Sequence, residues 1–383
     1  LILAAFYACA PEDPTQPDLE DVTYGQVVLS KYVAVGNSLT AGFQSGGMHE
    51  DFQAYSFPRL IAKQVGLEGT FEQPTIADPG IGSTPGQTPL YLDGSDIVSD
   101  PLTVDPTTLL SNALLSRPYD NLGVPGATLE DVLVATNAAT SASGTNSFFD
   151  MILRNPNLGN TTQLEQAILL QPTVMTLWIG NNDVLGSMMA GTDQLITSST
   201  DFQNNYTAMV TAIGQNTSSG LILANLPYVT DIPYCNTGEL VFATSPMLGV
   251  TDPVPVVFDE SFQPVDFGGG LYIPLITSET SVEHLLLSGI TAYQSGLGVP
   301  DSAYLYDTYL YPMGPVVGGG QAKLIEDGLI AAGITPTALP LTGEYTLTES
   351  ETTNLRNAVD GFNAIIAGIA AANTPNIPVV DAN

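Results

Sequence analysis

Short apolar segments alternate with helix-like segments along this chain, and no other feature of the sequence constrains the fold as strongly. Apolar runs of strand length are predicted at five places, namely 32–35, 119–122, 173–179, 221–224 and 377–380. Between these runs, apolar side chains recur at helical spacing, as in 202–213 and 355–369. Strands that are separated by helices form mostly parallel sheets with helices on both faces. The sequence therefore predicts an α/β sandwich.

Polar motifs follow the first three predicted strands directly. Residues 36–39 (GNSL) follow the first strand, residues 123–126 (GVPG) follow the second, and residues 180–183 (GNND) follow the third. The carboxyl ends of parallel strands lie at one edge of a sheet, and α/β proteins place their sites at that edge. We therefore expect the three motifs to meet there.

Ser38 is the first residue of interest, because it falls where a strand ends and a helix can begin. Such a turn leaves a hydroxyl beside backbone N–H groups that have no partner. A serine nucleophile needs this arrangement, together with an oxyanion hole and a base. The alternative interpretation is a strand end followed by a serine that caps the helix.

Jointly the motifs resemble the SGNH, or GDSL-type, serine hydrolases, whose site is built from sequence blocks in this order. The first block matches residues 36–39, the second matches residues 121–128 (NLGVPGAT), and the third matches residues 180–183. Residues 225–228 (NLPY) also resemble an extended segment that follows the next strand in these enzymes. The resemblance covers 27–230 and 350–383, and it implies a flavodoxin-like three-layer sandwich with a mostly parallel sheet.

The resemblance also implies a role for each site residue. Ser38 would attack an ester carbonyl and become acylated, and the Ser38 N–H, the Gly126 N–H and the Asn182 side-chain amide would hold the oxyanion. A glycine lets the backbone approach the reacting carbon closely. An asparagine amide is a neutral donor that stays protonated at any working pH. Asp183 is expected to fix the loop rather than to act in the chemistry.

Other interpretations of these residues remain open at this point. Gly126 follows a proline and could simply be the glycine of a type II turn. Asn182 could cap the next helix, and Gly123 competes with Gly126 as the donor. Asn37 departs from the aspartate that is usual in the family, since it keeps an acceptor oxygen but carries no charge.

The general base is the main departure from the family, which takes a histidine from an Asp-x-x-His block after the last core strand. This chain contains only His49 and His284, and neither has an aspartate three residues before it. His284 is expected on a helix. We expect neither histidine to be the base, and we hypothesise that the chain is a fragment whose base block lies beyond Asn383.

Charge and composition exclude some functions. Seven Lys and Arg residues against 39 Asp and Glu give a net charge of −32, so no basic patch can form and nucleic-acid binding is not expected. Two cysteines do not make a disulfide framework. The chemistry expected at Ser38 needs no metal and no organic cofactor.

The first residues suggest export. Residues 1–8 are apolar and precede Cys9, which resembles the end of a bacterial lipoprotein signal, although Phe6 and Tyr7 match that pattern poorly. Residues 11–17 are rich in proline and would serve as a tether. We expect an outer-membrane or cell-surface lipoprotein held by lipidated Cys9, or else a periplasmic or secreted protein.

The sequence predicts three parts. They are a leader remnant and tether (1–26), a hydrolase core (27–230 and 350–383) and a loop-rich insertion (231–349). The insertion is rich in proline, glycine and aromatic residues. It is expected to cover the site and shape the substrate cleft, or alternatively to play no part in catalysis. Residues 318–323 (GGGQAK) lack the spacing of a phosphate-binding loop and are expected to be an ordinary loop.

The function predicted is hydrolysis of a small-molecule, lipid or glycan ester through an acyl-Ser38 intermediate. A lipase or esterase is favoured over a carbohydrate deacetylase because the insertion is apolar and aromatic. Acyl transfer to an acceptor other than water stays open. The rival from another class is a surface binding lipoprotein that kept the fold and lost catalysis, and the absent base supports it.

Overall fold

The computed structural model describes residues 29–94 and 96–382. The leader remnant, the tether and Cys9 lie outside these ranges, so export and lipidation stay predictions. Among the helices within the ranges, none combines the length and the hydropathy that a bilayer-spanning segment requires.

The described residues contain thirteen strands, most of them short. In chain order they are β1 (Tyr32–Gly36), β2 (Gly47–Met48), β3 (Ile81–Gly82), β4 (Tyr91–Asp93), β5 (Asp96–Val98), β6 (Asn121–Gly123), β7 (Val174–Trp178), β8 (Gly220–Ala224), β9 (Phe242–Ser245), β10 (Val250–Pro255), β11 (Val282–Leu285), β12 (Thr346–Thr348) and β13 (Val379–Val380).

Fourteen α-helices lie in the same part of the chain. They are α1 (Ser38–Ala41), α2 (Glu50–Gln53), α3 (Phe57–Gln64), α4 (Leu129–Val134), α5 (Phe148–Leu153), α6 (Asn155–Leu158), α7 (Gln163–Leu169), α8 (Asn182–Met189), α9 (Ser199–Asn216), α10 (Pro233–Asn236), α11 (Leu287–Gln294), α12 (Ser302–Leu305), α13 (Gly314–Ala331) and α14 (Glu349–Ala372). Short 3₁₀ turns and one π turn connect some of them.

The centre of the fold is a five-stranded sheet in the order β13-β8-β7-β1-β6, and every pairing within it is parallel. This confirms the α/β class and the parallel sheet. Numbered along the chain, the sheet strands lie in the order 2-1-3-4-5, which is one of the two common orders of doubly wound proteins. The order reverses between β1 and β7, and such switch points are where these sheets bind ligands.

The register brings the three sequence motifs to one level of the sheet. Gly36, the last residue of β1, is paired with Gly123 at the end of β6 and with Trp178 at the end of β7. The chain therefore leaves three adjacent strands at the same height and on the same edge. The motifs that carry Ser38, Gly126 and Asn182 begin at that edge.

The two faces of β1 are packed against different layers. Val33 and Val35 belong to a large core that also contains buried side chains of α4, α7, α9 and α14. Tyr32 and Ala34 point to the other face, where they pack with Ala62 of α3. Side chains of a strand alternate between faces, and both sets are buried here, so β1 is covered on both of its faces.

The helices begin where the sequence provides caps. At α4 the Thr128 hydroxyl and the Asp131 carboxylate form a capping box, which satisfies backbone N–H groups that would otherwise lack partners. The same box starts α7 and α14. The predicted apolar stripe of α9 is confirmed, and its Phe202 ring stacks on Phe362 of α14 with centroids 3.8 Å apart.

Residues 231–349, which we call the insertion, have a hydrophobic cluster of their own drawn from residues 240–341. Two local predictions here are wrong. Residues 318–323 belong to α13 rather than to a loop, because Ala322, Ile325 and Leu329 are buried at helical spacing and outweigh the low helix propensity of glycine. His284 lies on strand β11 rather than on a helix, because this segment pairs with β12, which is distant in sequence.

Candidate active site

Ser38 is the first residue of α1, and the helix is capped by its neighbour. The Asn37 side-chain oxygen accepts the Leu39 N–H at 3.1 Å, so Asn37 occupies the N-cap position. The interpretation of Ser38 as the cap is therefore wrong. Neither the Ser38 hydroxyl nor its N–H has a hydrogen-bond partner among the described residues, and the side chain is half-buried.

Gly36 allows the turn that presents Ser38. A Cβ atom at this position would lie 2.0 Å from Oγ1 of Thr40 and 2.5 Å from the Trp178 carbonyl oxygen. Neither distance is tolerable, so only glycine lets α1 fold back this closely over the end of the sheet. The requirement is one of space, since Gly36 is itself the last residue of β1.

Asn37 joins the first motif to the third. Its Nδ2 donates a 2.9 Å hydrogen bond to Oδ1 of Asn181, and both residues are almost completely buried. An aspartate could not make this bond, because it has no hydrogen to donate at neutral pH. The departure from the usual family residue is thus matched by the neighbour that this chain provides.

Gly126 occupies the tight turn that was one interpretation of its sequence. The Ala127 N–H donates to the Val124 carbonyl at 3.1 Å, and Gly126 has a φ of 78° at the position where a type II turn requires a positive value. The turn does not occupy the Gly126 N–H, which has no partner in the described part of the chain. Asn146 secures the turn by donating to the Pro125 carbonyl at 2.7 Å.

The competing donor, Gly123, is in a different situation. Its N–H donates to the Asn121 side-chain oxygen at 3.0 Å. Asn121 also donates to the Thr40 carbonyl at 2.8 Å, so it ties β6 to the end of α1 and is buried. The Gly123 N–H is therefore used inside the protein, and the geometry favours Gly126 as a donor to a ligand.

Asn182 lies at the first position of α8, and its side chain does not cap that helix. Its Nδ2 donates to the Ala127 carbonyl at 2.7 Å, directly beyond Gly126 in the chain. A side-chain amide carries two hydrogens, and the second has no partner within the residues that the structure describes. This bond holds the amide beside the Gly126 turn.

Asp183 anchors the same loop from inside the core. One carboxylate oxygen accepts the Leu129 N–H at 2.9 Å and the other accepts the Thr197 hydroxyl at 3.0 Å. Burial raises its pKa to about 6, with a smaller contribution from the charge of Asp131, against the lowering effect of its hydrogen bonds. These contacts agree with the structural role expected for Asp183.

Gln163 is a site residue that the sequence did not reveal. It lies on α7, is fully buried, and its Nε2 donates to the Gly36 carbonyl at 2.7 Å and also to the Leu122 carbonyl. It thereby holds the ends of β1 and β6 together next to the turn that presents Ser38. The only signal was the capping box that places it at the start of a helix.

The two histidines make other contacts. His49 caps α2 by accepting the Asp51 N–H on Nδ1, and its Nε2 lies 3.6 Å from the Asp78 carboxylate. His284 lies 3.8 Å from the carboxylate of Glu283. Neither forms a hydrogen bond with Ser38.

The segment after the last sheet strand returns to the edge that carries the motifs. β13 runs parallel to β8, so its carboxyl end points the same way as that of β1. Asn225, which follows β8, donates to the Asp381 carboxylate at 2.7 Å and accepts the Trp178 indole N–H on its carbonyl at 3.0 Å. Contacts thus link the end of β13 to the end of β7.

The described residues hold no group of three or more His, Cys, Asp or Glu side chains that could bind a metal ion.

No family model, curated protein or solved structure matches the chain. The resemblance stated above therefore depends on the motifs and on the geometry of this edge.

Proposed function

We propose that this protein hydrolyses carboxylic esters through an acyl intermediate on Ser38. One observation carries the proposal. Three adjacent parallel strands end at the same level, and the turns that follow them carry Ser38, Gly126 and Asn182. In the described part of the chain, the N–H groups of Ser38 and Gly126 and one hydrogen of the Asn182 amide have no partner. The hydrogen bonds Asn37–Asn181, Asn182–Ala127 and Leu129–Asp183 join these turns into one unit.

The chemistry that this arrangement supports is acyl transfer. The Ser38 hydroxyl would attack the ester carbonyl, its proton would pass to a base, and the carbonyl oxygen would become an oxyanion between the N–H groups of Ser38 and Gly126 and the amide of Asn182. Collapse would break the ester C–O bond and release the alcohol, which takes the proton from the base. Water would then cleave the acyl-serine, giving the carboxylic acid and restoring the Ser38 hydroxyl. Each positioned donor contributes about 10²–10³ in rate.

Membership of the SGNH hydrolases remains part of the proposal. It is supported by the 2-1-3-4-5 strand order, which flavodoxin-like folds share, and by the position of Ser38 and Asn182 on either side of the switch point. It is also supported by the order of the three motifs along the chain.

The contacts of the two histidines do not support either of them as the base, since neither bonds to Ser38. Asp381, which follows β13 and is held by Asn225, lies at the point from which the family takes its base block. His49→Ala and His284→Ala should therefore leave the activity unchanged.

The experiment for the function is ester hydrolysis by the complete gene product with 4-nitrophenyl butyrate. Turnover should depend on Ser38 and vanish in Ser38→Ala, whereas Ser199→Ala, a change at the exposed serine that begins α9, should have no effect. Equal turnover by both variants would contradict the proposal.

A second candidate is a binding protein that kept the fold without catalysis. The contacts of the two histidines favour it, since neither bonds to Ser38. Absence of any Ser38-dependent turnover by the complete gene product, with the fold intact, would support this candidate instead.

A further inference from the structure

We propose that a cavity beside the Gly126 turn binds the apolar acyl chain of the ester substrate. This inference rests on the proposed function and adds a substrate class to it. The cavity lies between the loops of residues 81–113 and helix α5, and its volume is about 480 Å³. Pockets that hold small ligands typically measure about 300–1,000 Å³.

The cavity is apolar inside and polar at its rim. Ile81, Leu110 and Phe148 form the buried part of the wall, and Leu102 and Met151 are half-buried beside them. The serine, threonine, asparagine and aspartate residues of the wall are all exposed. An aliphatic chain gains free energy from every methylene that it buries in such a site, whereas a sugar would leave its hydroxyl groups without partners there.

Arg154 is the one cation among the described residues of this wall, and both terminal nitrogens of its guanidinium are bonded within the protein. The guanidinium donates to the backbone carbonyls of Ala113, Leu115 and Arg117 and lies 3.9 Å from the centre of the Tyr119 ring. It is therefore a structural part of the wall.

Two sets of contacts connect the cavity to the nucleophile. The Phe43 N–H donates to the Ser38 carbonyl at 3.1 Å, and the Phe43 ring packs edge-on against Phe148 with centroids 6.1 Å apart. On the other side, Asn146 holds the turn before Gly126 and directly precedes Ser147, which lines the cavity. Phe43 and Asn146 thus connect the cavity wall to the turns that carry Ser38 and Gly126.

The cavities of the insertion do not have these connections. One of about 240 Å³ is lined by residues such as Leu271, Leu310 and Ile325, and another of about 290 Å³ by residues such as Tyr293 and Ile334. Their walls consist of residues 247–335 alone. No hydrogen bond or ring contact of the described structure joins these residues to the turns that carry Ser38 and Gly126. We therefore assign the acyl chain to the cavity at Phe148 rather than to the insertion.

The test compares an ethyl and an octyl phosphonofluoridate as labels of Ser38 in the complete gene product. The octyl probe should react faster, by up to about fourfold for each methylene that the cavity buries. Met151→Trp, which fills the cavity, should remove most of this advantage because it slows the octyl reaction far more than the ethyl reaction. Leu102→Trp, on the opposite wall, should do the same if the first variant fails to fold. Met247→Trp, in an insertion cavity, is the matched control.

A binding measurement separates this inference from the proposed function. Titration calorimetry of Ser38→Ala should detect octanoate but not acetate, and Met151→Trp should abolish the octanoate signal. If Ser38 is labelled and the octyl probe still reacts faster than the ethyl probe in Met151→Trp, the cavity assignment is overturned and the proposed function is retained. Octanoate binding without any labelling of Ser38 would overturn the function and support the cavity as a binding site.

Discussion

The side-chain amide of Asn37 donates a 2.9 Å hydrogen bond to Oδ1 of Asn181, and this bond joins the turns after β1 and β7 across the switch point of the sheet. Asn37 also caps α1, so the Ser38 hydroxyl is not needed as the helix cap. The bond also explains why an asparagine suits this position in this chain, since a donor is needed opposite an amide oxygen.

Replacing Asn37 by aspartate should therefore destabilise the protein although the change is small. The new carboxylate would face Oδ1 of Asn181 in a buried position, with no hydrogen between the two oxygens. Loss of a buried hydrogen bond of this kind lowers the free energy of unfolding by about 1–3 kcal/mol. Urea unfolding followed by the fluorescence of Trp178, the single tryptophan, measures this. Asn204→Asp, at an exposed position of α9, is the control. Equal stability of the two variants would contradict the importance of the bond.

Under the proposed function, Asn182→Ala should lower the rate of Ser38 acylation by about 10²–10³ because it removes one proposed oxyanion donor. Substrate binding should change little, since the interaction forms only as the oxyanion develops. The measurement is kcat and KM with 4-nitrophenyl butyrate on the complete gene product, with Asn204→Ala as the matched control. A rise in KM at unchanged kcat would show that Asn182 binds the substrate without acting as a donor.

Gln163→Leu should reduce kcat with little change in KM, because the bonds that hold the ends of β1 and β6 next to the turn that presents Ser38 are lost. Gln166 offers a matched control, since it lies on the same helix, is equally buried and donates to Leu153 instead. Both variants should lose stability. If Gln166→Leu reduced kcat as much, Gln163 would have no special role in positioning the site.

Asp183 should make stability depend on pH in a defined direction. Burial raises its pKa to about 6 from an ordinary value of 3.8, so the folded state holds the proton more tightly than the unfolded state. The stability that it contributes is present in full below pH 3.8 and is lost as the pH rises through about 6, a change on the order of 3 kcal/mol.

The measurement for Asp183 is urea unfolding across this pH range for the wild type and for Asp183→Asn. The variant should lack the decrease between these two pH values, whereas Glu130→Gln, at an exposed position of α4, should retain it. Identical pH profiles for the wild type and Asp183→Asn would contradict the assigned cause.

Local patterns in the sequence were sufficient for the sheet and for the helices that cover it. The stripe of α9 from Phe202 to Ile213 and the capping box at Thr128 follow from spacing alone. The insertion was less predictable. The strand that carries His284 forms only by pairing with a strand that is distant in sequence. The glycines of α13 have a low helix propensity, so the sequence does not predict this helix, which tertiary packing stabilises.

At the site, the sequence identified the turns but not the contacts between them. Nothing in the spacing showed that Asn37 rather than Ser38 caps α1. Nor did it show that the Gly123 N–H donates to Asn121, or that Gln163 donates to the carbonyls at the ends of two strands. Each of these depends on side chains that meet across neighbouring strands. Long-range hydrogen bonds of this kind leave no periodic signal in a single sequence.

The most direct test of Ser38 as a nucleophile is covalent labelling of the complete gene product with a fluorophosphonate, followed by peptide mapping by mass spectrometry. We expect one adduct, located on Ser38, which disappears in Ser38→Ala and forms much more slowly in Asn182→Ala. An unlabelled Ser38 in a folded protein, or an adduct on another serine that persists in Ser38→Ala, would contradict the proposed function.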